Sequence, residues 1–420
     1  MKSILMQLRY CALVPLAFTA LFGSGCSEKP KWRGYDPGPA ASASAAASAA
    51  EAPAAQPPRD PVRPLHRRTY SIVTDGDIVH TGTTAGVVSW DFSDRNDPKR
   101  LASVVLEGSV QHVAALPEPS SLLAVSTGPT GLAFVDAAKA KQNELELVNE
   151  HPWKADERGG CHSAWRFVPA TDTTGFVACG GSGVARVDIA EADKAAVDAM
   201  VSVGGYVRDV AVLDEASGVP KPAASSRKVA AAAGYRGLAV VDFGGIKPRA
   251  LAEVELGGEA RAVDVRDGHA FVAAGAAGLV IVDLRKPKEP EVVGRISPKT
   301  TDMARGIALS GSHALLCLGD SGLVVVDVTD PAKPKEVGRF DPKRALNRVT
   351  VSGQHLFVAN DADGVAILDI GEPTEPKQIF PPTDDASGKA DSGKSNNKAG
   401  DENVKTGAKP AAESDSGSKN

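Results

Sequence analysis

One short string recurs through the middle of the chain and limits what that region can fold into. Gly278-Leu-Val-Ile-Val-Asp283 returns as Gly322-Leu-Val-Val-Val-Asp327, Gly364-Val-Ala-Ile-Leu-Asp369 and Gly237-Leu-Ala-Val-Val-Asp242. Weaker copies are Gly183-Val-Ala-Arg-Val-Asp188, Gly131-Leu-Ala-Phe-Val-Asp136 and Gly86-Val-Val-Ser-Trp-Asp91. Successive aspartates lie 45, 52, 54, 41, 44 and 42 residues apart. A period of this length implies stacked or radially arranged supersecondary units, each unable to bury its apolar surface alone.

Each unit holds four strands. In the fifth copy Ala262 to Val265 alternates in polarity and runs into the turn at Arg266-Asp-Gly268. His269 to Ala274 gives a second strand, and a tight turn from Gly275 to Gly278 leads into a third. That third strand, Leu279 to Val282, is continuously apolar, as a strand buried on both faces must be. Pro287 and Pro290 mark the next turn, and Glu291 to Ile296 forms a fourth, more polar strand. Proline confined to turns and outer edges is what a hydrogen-bonded sheet tolerates. Four antiparallel strands per repeat give an all-β β-propeller over residues 66–380, expected to have seven four-stranded blades, with six or eight as the alternative. Aromatic residues make up only 5% of the chain, so the core must come from Val, Leu, Ile and Ala.

The repeat resembles the LVIVD-repeat family, whose motif stands as Leu279-Val-Ile-Val-Asp283. The resemblance covers all seven copies, most closely the last four. It implies an extracytoplasmic or surface β-propeller, mostly without an assigned activity. The single Trp90-Asp91 does not make a WD40 protein, because the other copies lack the Trp. No closing strand is obvious in the sequence, and Val62 to His66 is one candidate.

The flanks are of another kind. Residues 1–25 read as a signal peptide: Lys2 and Arg9 precede an apolar run from Cys11 through Phe22, too short to span a bilayer. Gly23-Ser24-Gly25-Cys26 resembles a bacterial lipobox, which implies lipidation at Cys26. Gly23 stands where that motif usually has Leu, so an ordinary secretory signal is the alternative. Ser27 after the cysteine favours the outer membrane, by analogy with the sorting rule of enteric bacteria. Residues 26–65, rich in Ala, Pro and Ser, and the polar tail 381–420 are expected to be disordered, the first as a tether. Export permits a disulfide, with Cys161 and Cys179 as the natural pair and two free buried thiols as the alternative. Cys317 lies inside an apolar strand and reads as a core residue.

No catalytic or metal site is expected. Gly319-Asp-Ser-Gly322 looks like a protease nucleophile motif, yet fills the turn slot that Gly275-Ala-Ala-Gly278 fills one repeat earlier. Asn360-Asp-Ala-Asp-Gly364 has the oxygen density of a calcium loop but lacks a bidentate Glu. His269, His313 and His355 recur at one register, in blades that diverge too far to share an ion. The repeated aspartate at the end of the third strand reads as a turn acceptor.

A ligand site is expected at one mouth of the central channel. Thr69, Gln111, Trp165, Arg208, Arg261, Arg305 and Asn347 occupy one register at the start of the first strand. Three consecutive arginines along such a ring suit carboxylate, phosphate or sulfate groups. The alternative is that these side chains bond the backbone of neighbouring blades. Trp153, on a long crossing loop, adds recognition surface to the same rim. The ring carries no carboxylate, which argues against a hydrolase or lyase site there. The expected partner is a protein, peptide or glycan of the cell envelope. Neither a cofactor nor nucleic acid is expected, at a formal net charge of −5. Membrane contact is expected through the lipid anchor only.

Overall fold

The computed structural model describes residues 68–151, 160–213, 227–341, 346–360 and 364–380. These all fall in the second of two compact units, which begins at Arg63. Among the described residues no helix is long and apolar enough to cross a membrane.

Seven four-stranded antiparallel sheets form a β-propeller, each built from four strands consecutive in sequence. Blades 1 to 7 cover 69–105, 112–151, 166–201, 209–254, 262–296, 306–340 and 346–380. Blade 5 shows the pattern: Ala262–Arg266 pairs His269–Ala273, which pairs Leu279–Asp283, which pairs Glu291–Ile296. Leu279, Val280, Ile281 and Val282 are all fully buried, because both faces of the third strand meet a neighbouring blade. In every blade the register slips once between third and fourth strands. A bulge there sharpens the twist that flares the blade outward.

The core is divided among the blade interfaces. Seven apolar clusters each join residues of two adjacent blades, and the seventh joins blade 7 to blade 1. Seven blades with seven interfaces make a closed ring. No strand is exchanged between blades 7 and 1 among the described residues, and Val62 to His66 lies outside them. Among the described residues, side chains join the two blades. The Phe92 and Phe357 rings meet edge to face at 5.6 Å, and the Thr350 hydroxyl donates to the Ile72 carbonyl at 2.9 Å.

The repeated aspartate has the same role in all seven blades. Asp91, Asp136, Asp188, Asp242, Asp283, Asp327 and Asp369 each accept the backbone N–H two residues on, at 2.7–3.0 Å. Such a turn stops the buried strand and directs the chain toward the outer one. At Asp91 that backbone bond is the main cause of a lowered carboxyl pKa.

Candidate functional site

The turn between second and third strands positions the mouth. Its first glycine bridges to the entry of the next blade's first strand: Gly128 to Ala164, Gly180 to Val207, Gly234 to Ala260, Gly275 to Ala304 and Gly319 to Leu346. The following residue is then fixed at the rim. The N–H groups of Trp165, Arg208, Arg261 and Arg305 each donate to a carbonyl of their own blade's second strand, at 2.8–3.0 Å. The glycines also leave room for the side chains above them. A Cβ at Gly180 would lie 3.2 Å from Trp165 Nε1, and one at Gly319 would lie 3.1 Å from the Arg305 guanidinium carbon. Both have φ near +60°, a region open mainly to glycine.

Arg68, Tyr70, Gln111, Trp165, Arg208, Arg261, Arg305 and Arg348 line one cavity of about 360 Å³ at this mouth. Five guanidinium groups thus converge in a chain whose net charge is negative. One carboxylate, Glu259, stands beneath them with its side chain only 10% exposed. It accepts from Arg261 Nε at 2.9 Å and lies 3.3 Å from Arg208 Nε. The Arg208 guanidinium stacks 5.5 Å from the Trp165 ring and 5.1 Å from the Tyr206 ring. Those two rings meet at 73°, so arginine and aromatics form one rigid wall.

Gln111, Trp165, Arg208, Arg261 and Arg305 therefore share one cavity, whereas Thr69 does not. A register slip between Thr69 and Ser71 moves the strand by one residue, so Tyr70 takes the rim and Thr69 is buried. Asn347 lies in the corresponding slip between Leu346 and Arg348, and Arg348 reaches the cavity. The ring is not free of carboxylate, because Glu259 belongs to the crossing that delivers Arg261. Trp153 and Cys26 lie outside the described residues. Cys161 and Cys179 are joined in a disulfide with Cα atoms 5.1 Å apart, which ties the end of the crossing loop to the second strand of blade 3. Cys317 is buried and free, and burial pushes its thiol up to about 12.

One residue further along the first strands lies a second ring that the sequence reading missed. By pairing it comprises Ser71, His112, Arg166, Asp209, Ala262, Gly306 and Arg348. Fully buried Asp209 accepts from Arg166 at 3.1 Å and from the Val263 N–H at 3.2 Å. Arg348, from the far side of the channel, approaches it to 3.6 Å. Its signal in the sequence is a charge or imidazole set into an apolar strand, as in Arg166-Phe167-Val168 and Asp209-Val210-Ala211.

Ser321, in the turn Gly319-Asp-Ser-Gly322, donates to Asp302 of the preceding blade-to-blade crossing at 2.6 Å. His269 and His355 keep separate partners, the Asp267 carbonyl at 2.9 Å and Arg95 Nε at 3.3 Å. Asp361 and Asp363 lie outside the described residues. Among the described residues no three His, Cys, Asp or Glu side chains cluster as a metal site would require.

Comparison with known proteins agrees with this architecture. The chain is similar in fold to the crystal structure of Saccharomyces cerevisiae Sqt1, with a TM-score of 0.56 and 10% identity. That likeness covers 74% of this chain and 84% of the yeast one. At such identity the likeness is one of fold alone. No curated protein is similar to the chain in sequence. The family model for the LVIVD repeat matches residues 257–297, 302–342 and 344–381, which are blades 5, 6 and 7 with their crossings. The chain is a β-propeller in which three consecutive blades match the LVIVD repeat.

Proposed function

We propose that this propeller is a lipid-anchored binding scaffold of the cell envelope, which captures an anionic group of an envelope protein, peptide or glycan at its arginine-lined mouth. The observation that carries the reading is the convergence of five arginines on one cavity over a single buried carboxylate. Guanidinium groups present paired donors that match carboxylate, phosphate and sulfate oxygens. The Trp165–Tyr206 wall offers apolar surface beside them, suited to a peptide side chain or a sugar face. Anchoring and envelope location follow from the signal-like N-terminus, the cysteine at position 26 and the spacer after it. A propeller hydrolase or lyase is the other reading, and the carboxylates in the channel give it some footing. Binding fits better, because Asp209 and Glu259 are both engaged by arginines.

The test is cross-linking of the lipidated protein in intact envelopes, beside a variant with Arg208, Arg261 and Arg305 changed to Ala. Glu259→Gln is added so that no buried carboxylate is left unpaired. Capture by the wild type and loss in the folded variant is expected. Equal capture by both overturns the mouth as the site.

A further inference from the structure

The channel holds a second cavity, of about 230 Å³, deeper than the mouth and distinct from it. Its polar walls are Ser71, His112, Arg166, Asp264, Arg348 and Thr350. Arg348 lines both cavities, so the deeper one begins where the mouth ends. A water's share of liquid volume is about 30 Å³, so the space accommodates a small ion with part of its hydration.

Hydrogen bonding around this cavity is incomplete. Two guanidinium groups, Arg166 and Arg348, face it, and both lean on the one carboxylate of Asp209. Arg166 Nε lies 3.0 Å from Asp209 Oδ1 but in a geometry that makes no hydrogen bond. Asp264, a second carboxylate at this cavity, is held by backbone donors. Its two oxygens accept the N–H groups of Val265 at 2.9 Å and Leu309 at 3.2 Å, and burial raises its carboxyl above the ordinary value. His112 Nδ1 is buried with no partner. Burial holds this imidazole well below the ordinary histidine value, with Arg166 and Arg348 adding to the effect, so it is neutral near neutral pH. Burying a polar atom without a partner is costly. The unpartnered nitrogens of Arg166 and His112 belong to residues that line the same space.

We infer that this inner cavity is a small-oxyanion site, in which Arg166 and Arg348 hold a phosphate- or sulfate-sized ion beside His112. The arginine forks supply charge-assisted donors, and the neutral imidazole supplies one more when its proton faces the ion. The site's occupant is either a free ion or the terminal oxyanion of a longer ligand threaded past Arg348.

Inorganic phosphate is the probe, titrated calorimetrically into the full chain in a buffer free of other oxyanions. One phosphate per chain is expected. Affinity should fall at least tenfold in both Arg348→Gln and His112→Phe, the loss of one charged or one neutral hydrogen bond in a shielded site. The mouth variant described above should stay within twofold. If Arg348→Gln fails to fold, His112→Phe alone carries the comparison. No saturable binding by the folded wild type overturns the inference. So does loss of binding in the mouth variant while Arg348→Gln and His112→Phe retain it. Competition between phosphate and the captured envelope ligand assigns the occupant to the longer ligand, and absence of competition assigns it to the free ion; either result upholds the site.

Discussion

Acid should weaken this propeller through a histidine far from the channel. His80, in the second strand of blade 1 (Ile78–Thr83), is fully buried, with Nδ1 2.7 Å from the Ser89 hydroxyl and no partner at Nε2. Burial lowers its pKa from 6.5 to about 4, against a weaker opposing effect of Asp75. The folded pKa is below the unfolded one, so between these values the unfolded chain takes up a proton that the folded chain refuses. Stability is therefore full above about pH 6.5 and declines as pH falls toward the folded pKa. At about 1.4 kcal/mol per unit, the shift is worth about 3 kcal/mol once both states are protonated. Urea unfolding followed by tryptophan fluorescence measures it, since Trp90 lies on the adjacent strand and donates to Thr81 at 3.2 Å. His80→Gln should reduce the stability lost between about pH 7 and pH 4 by about 3 kcal/mol. His112 and His355, whose pKa values are also lowered, remain in both proteins and cancel. Parallel pH profiles for the two proteins would refute the reasoning, because His80 would then be protonated within the fold at no cost.

Three further outcomes follow from the same geometry. The Cys161–Cys179 link spans 18 residues, so the chain-entropy model predicts a loss of about 3 kcal/mol in the Cys161→Ser/Cys179→Ser variant, measured by urea unfolding. Gly237→Ala and Gly311→Ala should differ sharply in melting temperature. A Cβ at Gly237 would lie 2.1 Å from the Val254 carbonyl oxygen, whereas one at Gly311 meets nothing within 4 Å. Both residues have positive φ, so Gly311→Ala should cost about 1 kcal/mol and Gly237→Ala at least twice that. Phe357→Ala at the ring's closure should cost about 3–5 kcal/mol and speed amide exchange in blades 1 and 7 first. A uniform rise in all seven blades would mean that the closure is not a separable weak point.

The period and the strand order were legible because both are local: the apolar third strand, the turn before it and its terminal aspartate fit within nine residues, as in Gly275 to Asp283. The rim was largely legible for the same reason, since Trp165, Arg208, Arg261 and Arg305 share one register with the repeat. What escaped depends on features that no single repeat contains. The slip at Thr69–Ser71 shifts the rim to Tyr70, and nothing in Thr69-Tyr70-Ser71 signals it. Glu259 reaches the mouth from a crossing two residues before Arg261, where a carboxylate reads as solvated. The contact between Arg348 and Asp209 joins residues from opposite sides of the channel, a distance that exists only after the ring has closed. The contacts of Phe92, Phe357 and Thr350 between blades 1 and 7 are likewise a property of the whole ring.

The central claim is that the mouth, and not the opposite face, is where a ligand docks. A photo-crosslinking side chain at Gln111, on the cavity wall, or at Arg285, in the turn between third and fourth strands on the other face, separates the two in intact envelopes. The account predicts an adduct from position 111 that added salt weakens and that position 285 does not give, because the attraction is between guanidinium groups and an anion. An adduct from position 285 alone, or equal adducts from both positions that salt leaves unchanged, would contradict it.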